Sequence, residues 1–167
     1  TIIMTTIKVF IVDDHPVVRR GLRSLLSNYE DFLIVGNAAT LSTAKEGISK
    51  TPPDILLLDI RLQGESGLDL LDWMQETWAN TKVIILTSFD EDEYVRRALK
   101  NGAHGFILKS GSEDLLCDAI RTVYRNGQVL SSQITGQLIE SFTEAFPDET
   151  SQTENFSDEE LFILRLL

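Results

Sequence analysis

The chain has 167 residues, 43% of them hydrophobic and 25% charged, with a formal net charge of −11. Such a length holds one well-packed α/β domain and an appendage but hardly two full domains, and its acidity opposes the general attraction to phosphate backbones, so a nucleic-acid role must come from residues not in this sequence. No apolar run approaches the roughly 20 residues of a membrane helix, no basic-then-apolar leader opens the chain, and the single cysteine, Cys117, excludes an internal disulfide or a cysteine-based zinc site and fits a reducing cytoplasm.

Residues 8–13 (KVFIVD) read as a first buried strand of β-branched and aliphatic side chains. Asp14 or His15 stands where a helix cap belongs, with Pro16 at the first helical position. Val18, Leu22, Leu25 and Leu26 then fall on one helical face. Residues 32–38 form a second strand and 41–50 a helix of weaker period. Residues 55–59 (ILLLD) make the third strand, and Leu70, Leu71, Met74 and Trp78 the apolar face of the next helix. The fourth strand is 82–87 (KVIILT); a helix over 91–101 follows, with Asp90 and Glu93 as a capping pair and Asn101-Gly102 as its stop. Residues 105–109 (GFILK) are the fifth strand. Ser112, Glu113 and Asp114 open a helix whose buried stripe is Leu116, Ala119, Ile120 and Val123, and Gly127 reads as its stop.

Beyond Gly127 the pattern changes. Residues 128–145 carry one further helix, with Ile134, Leu138 and Phe142 at helical spacing; 146–156 is a polar, acidic linker. Ser157 and Glu160 form a capping box ahead of an apolar run over 161–167, and the chain stops inside that pattern, which predicts a truncated second domain.

Strand–helix alternation with short connections implies a doubly wound parallel sheet of five strands with a C-terminal helical extension. Ligands of such sheets sit beyond the carboxyl ends of the strands, where strand order reverses. Asp13 and Asp14 follow the first strand, Asp59 ends the third, Thr87 the fourth and Lys109 the fifth, so all five converge on that crevice. Two carboxylates about 4 Å apart repel by about 4 kcal/mol at an effective dielectric of ~20. Lys109 relieves part of this and a divalent cation more; an oxygen-only ligand set suits Mg²⁺. A carboxylate can attack phosphorus to give an aspartyl phosphate, and phosphoryl transfer needs charge neutralisation and alignment more than a histidine base.

The segments VDDHPVVRRGL, ILLLDIRLQGESGLDLL, VIILTS and GAHGFILKS are similar to the receiver domains of two-component response regulators, more narrowly those with a LuxR-type (NarL/FixJ-like) output. The resemblance covers residues 7–127 and implies a flavodoxin-like sheet of order 2-1-3-4-5. It implies Asp59 as phosphoacceptor, Asp13 and Asp14 as the acidic pair holding Mg²⁺, and the backbone carbonyl of Arg61 as a further ligand. Lys109 would contact the phosphoryl group, with Thr87 and Phe106 as the switch pair. It further implies a histidine kinase as donor, a homodimer when phosphorylated, a cytoplasmic location and DNA binding through the missing C-terminal domain only. FSDEELFILRLL resembles the opening of that domain, with Glu159 and Phe162 departing from its usual charges. Two further departures stand out. Gln63 replaces a common proline in the loop after Asp59, and Ser110 follows Lys109 where many receivers have proline, which leaves the geometry of that peptide open.

Plainer readings stand beside these. Asp13-Asp14 alone is more often a turn or helix cap than a metal site, and Thr87 could be a strand former, Phe106 core and Lys109 a solvated strand end. His15 could serve as a phosphohistidine or metal ligand but reads rather as a capping or surface residue, His104 as a loop residue and Cys117 as inert. Three functions compete: a phosphoryl-operated switch that is not a dedicated metabolic enzyme, a hydrolase with an aspartyl nucleophile of the haloacid-dehalogenase type, and a phosphorylation-independent interaction module. For the hydrolase, Arg61 stands where a second, acid–base carboxylate belongs.

Overall fold

The computed structural model describes residues 5–88 and 92–130, without the side chains of residues 92–94. The helix expected within 128–145 (beyond residue 130), the linker, the capping box at Ser157 and the start of a second domain lie outside the described residues, as do Phe89 and the Asp90 half of the predicted capping pair.

Among the described residues eight strands and five helices follow one another: β1 (Ile7–Val12), α1 (Pro16–Ser27), β2 (Phe32–Ala38), α2 (Leu41–Lys50), β3 (Ile55–Leu58), β4 (Arg61–Leu62), β5 (Glu65–Ser66), α3 (Gly67–Thr77), β6 (Lys82–Thr87), α4 (Asp92–Lys100), β7 (Gly105–Leu108), α5 (Glu113–Tyr124) and β8 (Val129–Leu130). The main sheet runs β2-β1-β3-β6-β7-β8, every pair parallel. The five anticipated strands keep their 2-1-3-4-5 order. The sixth, β8, is an addition at the edge, and residues 129–130 are strand where a helical extension was expected.

Both faces of this sheet are apolar because helices cover both. Phe10, Val12, Leu56, Leu58, Val83, Ile85, Phe106 and Leu108 pack on one side with α2, α3 and α4. Their alternates Val9, Ile11, Ile55, Leu57, Ile84, Leu86 and Ile107 pack on the other with α1 and α5. This is why the strands read as continuous hydrophobic runs. Of the α1 stripe only Leu26 is fully buried. Val18, Leu22 and Leu25 instead line an open groove of about 290 Å³ shared with Leu116, Lys109, Gly111 and Ser112.

Helix ends follow their local chemistry. Pro16 sits at the start of α1, but the capping residue His15 makes no side-chain cap bond. The Ser112 side chain accepts from Leu115 N–H at 3.2 Å and caps α5. At the far end of α5 the left-handed residue is Asn126 (φ 69°), not Gly127 as expected. Asn126 N–H donates to Val123 O at 3.0 Å and Gly127 N–H to Thr122 O at 2.9 Å, the paired bonds of a Schellman stop.

Candidate functional site

The ladder bonds continue one residue past the strands and set the functional residues at a common level. Asp13 N–H donates to Ala38 O at 3.1 Å, Asp59 N–H to Val12 O at 2.9 Å and Lys109 N–H to Thr87 O at 2.7 Å. Backbone pairing alone therefore delivers Asp13, Asp59, Thr87 and Lys109 to the carboxyl edge of β1, β3, β6 and β7. Asp13, Asp59 and Thr87 are buried, at 2%, 5% and 2% exposure.

Inside this edge, Lys109 Nζ contacts Asp13 Oδ2 at 2.5 Å and Asp59 Oδ2 at 3.0 Å. The other Asp59 oxygen accepts the Arg61 N–H at 3.2 Å. Burial drives the Asp59 carboxyl above the usual aspartate range, against the opposing pull of the Lys109 hydrogen bond and charge. Burial acts to lower Lys109, but its hydrogen bonds to Asp13 and Asp59 outweigh it and the ammonium is held more firmly than usual. Arg19 Nη1 donates to Asp13 O at 2.6 Å and its Nε to Asn37 Oδ1 at 3.1 Å, pinning the backbone beneath the acidic pair.

The loop after Asp59 is a small hairpin. β4 and β5 pair antiparallel across Gln63-Gly64, and Gly64 takes φ 76°, a conformation glycine adopts at no steric cost. Gly67 N–H then returns to Ile60 O at 2.6 Å. A Cβ on Gly67 would stand 2.2 Å from Asp59 O and 2.9 Å from Ile60 Cα, so only glycine lets α3 start this close to the buried aspartate. The Lys109–Ser110 peptide is trans, like every other described peptide bond.

Thr87 and Phe106 lie on the same face of adjacent strands, with Ile85 opposite Phe106 and Leu108 opposite Thr87. Phe106 is fully enclosed in the core shared with α2, α3 and α4. Three site residues were not anticipated. Gly67 lies within a quoted motif but gives no sequence sign of its close approach. Arg19 looks like an ordinary surface cation. His15, read as a cap or surface residue, turns its ring back over the acidic pair, with Nδ1 3.0 Å from Asp13 Oδ1 and 2.9 Å from Asp14 Oδ1. Asp13, Asp14, His15 and Asp59 each place one ligand atom within 4.8 Å of the others.

That grouping fits a divalent cation. Asp14 Oδ1 is shut away from water yet accepts no hydrogen bond, a costly state for a carboxylate oxygen unless a cation completes it. The neighbouring carboxylates supply the hard oxygen donors that Mg²⁺ prefers.

Residues 9–121 match the family model for the response regulator receiver domain. The chain belongs to the response regulators. Its receiver is of the NarL/FixJ type, and the protein is a two-component transcription regulator of the LuxR family. It is 36% identical over 165 residues to the oxygen regulatory protein NreC of Staphylococcus aureus, covering 96% of this chain and 76% of that one. A LuxR-family response regulator from Aurantimonas superposes with a TM-score of 0.78 at 27% identity, covering 83% of this chain and 99% of that one. A DNA-binding LuxR-family response regulator from Staphylococcus aureus gives 0.67 at 28% identity, covering 71% and 98%. These relatives are regulators, not metabolic enzymes.

Proposed function

We propose that this receiver takes a phosphoryl group on Asp59 from a histidine kinase and passes the change to a DNA-binding output segment. The observation that carries the reading is the buried Asp59 carboxylate, held between Lys109 and the Asp13–Asp14 pair at the carboxyl edge of the sheet. Asp13, Asp14, Asp59 and the carbonyl of Arg61 would hold Mg²⁺, which supplies positive charge for the carboxylates and for the incoming phosphoryl oxygens. One Asp59 oxygen forms the new P–O bond as the donor's P–N bond breaks, its electron pair leaving on the imidazole nitrogen. Lys109 holds the carboxylate in place and then shares its ammonium with a phosphoryl oxygen. The Thr87 hydroxyl donates to another.

Drawing Thr87 toward the modified site favours the inward Phe106, biasing an equilibrium between two packings rather than creating a new one. Leu130 pairs with Phe106, so the strand that directly precedes residues 131–167 in the chain abuts the switch residue. That route connects the site to homodimerisation and to DNA binding by the output segment. The setting is the cytoplasm; among the described residues no helix is long and apolar enough to cross a membrane.

The test is incubation with acetyl phosphate and Mg²⁺, followed by intact-mass measurement. A Mg²⁺-dependent phosphate adduct is expected in the parent and not in Asp59→Asn. Equal labelling of both, or of neither, contradicts the reading.

A further inference from the structure

A β-bulge in β2 reaches the acidic pair through two side chains. The pairing of β1 with β2 runs Val9 to Ile34 and then Phe10 to Gly36, so Val35 is an extra, unpaired residue. Side chains alternate across a strand, and an inserted residue reverses the faces of all that follow. Phe32 and Ile34, ahead of the bulge, pack on the α1–α5 side of the sheet. Ala38, of the same parity but beyond the bulge, packs on the opposite side. Asn37, level with Ile11, is turned by the same reversal from the α2 side toward α1. There its Oδ1 accepts a hydrogen bond from Arg19 Nε at 3.1 Å. The same guanidinium donates from Nη1 to Asp13 O at 2.6 Å, and the Arg19 amide donates to His15 O at 3.1 Å. Arg19 thus closes the turn that carries Asp13 and Asp14 with both its side chain and its backbone.

We propose that Arg19, oriented by Asn37, is a positioning residue for the Asp13–Asp14 half of the pocket and sets its affinity for Mg²⁺. The proposal rests on the reading of this pocket as the Mg²⁺ site and adds an outer support to it. Arg19 bonds the carbonyl of Asp13 rather than its carboxylate, so it acts by fixing the backbone from which the two acidic side chains project. Each nitrogen has its own task. Nη1 holds the carbonyl, while Nε, held by Asn37, fixes the plane of the guanidinium. Lysine keeps the charge but not the rigid fork that spans both acceptors. A plain effect of charge on the acidic pair would therefore survive in lysine and would not need Asn37, whereas a clamp needs the fork and its partner together.

The experiment is calorimetric titration of the full chain with Mg²⁺, in the parent, Arg19→Lys, Arg19→Ala, Asn37→Ala, the Arg19→Ala/Asn37→Ala double variant and Asp13→Asn. Thermal melts without Mg²⁺ confirm that each variant is folded at the titration temperature. If Arg19→Ala is not, Arg19→Lys and Asn37→Ala carry the test. Arg19→Lys and Arg19→Ala should each weaken Mg²⁺ by about tenfold, the loss typical of removing a partner that orients a metal ligand. Asn37→Ala should weaken it too, and the double variant should bind no worse than Arg19→Ala, because Asn37 acts only through Arg19. Parent-like affinity in Arg19→Lys or in Asn37→Ala overturns the proposal, and so does a double variant whose loss is the product of the two single losses. Asp13→Asn tells this failure from that of the pocket. If it leaves Mg²⁺ binding intact, the pocket has been misread and the role of Arg19 falls with it; if it abolishes binding while the Arg19 and Asn37 variants match the parent, only the role of Arg19 falls.

Discussion

Asp59 holds its charge at a position only 5% exposed, and burial outweighs Lys109 in setting its affinity for a proton. A carboxyl whose folded value lies above its ordinary 3.8 contributes stability below that value, and the contribution is lost as pH rises through the higher folded value. At neutral pH the ionised group is therefore a burden on the metal-free fold. Asp59→Asn should be more stable than the parent at pH 7 by about 1 kcal/mol, roughly 4 °C in Tm, with the gap shrinking toward pH 4. Thermal melts across that range without Mg²⁺ check the sign, and a variant less stable at pH 7 would contradict it. Gly67→Ala pushes a methyl into Asp59 O and should cost about 2 kcal/mol and slow phosphoryl uptake, readable by urea unfolding and adduct formation. At this scale the sequence was partly legible. Asp13, Asp59 and Lys109 announce themselves as charges ending apolar runs, which need a reason to be there. Gly67 and His15 do not, because one acts by what it lacks and the other by a ring orientation set by a two-residue turn.

Elements were legible wherever periodicity had room to show. β6 spans the residues expected of it, and β3 and β7 stop one residue short, although the amides of Asp59 and Lys109 still make ladder bonds to the carbonyls of Val12 and Thr87. The hairpin of β4 and β5 and the edge strand β8, two residues each, are too short to carry a period of two. His104 shows how a loop residue can belong to an element. Its Nδ1 accepts the Val83 N–H at 3.2 Å, its own N–H donates to Val83 O at 2.8 Å, and its carbonyl accepts from Val129. The ring thus substitutes for a backbone acceptor where β6, β7 and β8 meet. Burial, reinforced by the charge of Lys82, lowers its pKa below 6.5. The stability from neutral His104 is fully present above pH 6.5 and is lost as pH falls through that value toward the lower folded one. Amide exchange of Val83 should accelerate, beyond its intrinsic pH trend, between pH 7 and about pH 5 in the parent. A His104→Gln variant, whose amide oxygen can still accept, should lack that pH dependence; identical profiles would contradict the assignment.

For the whole molecule, alternation of strands and helices was enough to predict a doubly wound parallel sheet and the carboxyl edge where its pocket forms, whereas the strand order came only from the family resemblance. What the alternation could not supply is how tightly separate segments close on one another. Lys109 spans the gap from β7 to residues following β1 and β3, and Arg121 ties α5 to Asp31 ahead of β2 at 2.8 Å. These contacts, between residues far apart in the chain, depend on side-chain reach rather than on any local pattern. They make the acidic pocket a property of the assembled sheet, and the account stands on that pocket making Asp59 the acceptor. Borohydride reduction of the phosphodonor-treated chain, followed by peptide mass spectrometry, reads this out directly, since an aspartyl phosphate is reduced to homoserine. The account predicts homoserine at position 59, dependent on Mg²⁺. Homoserine at Asp13 or Asp14, or phosphate retained on a side chain that borohydride does not reduce, would contradict it.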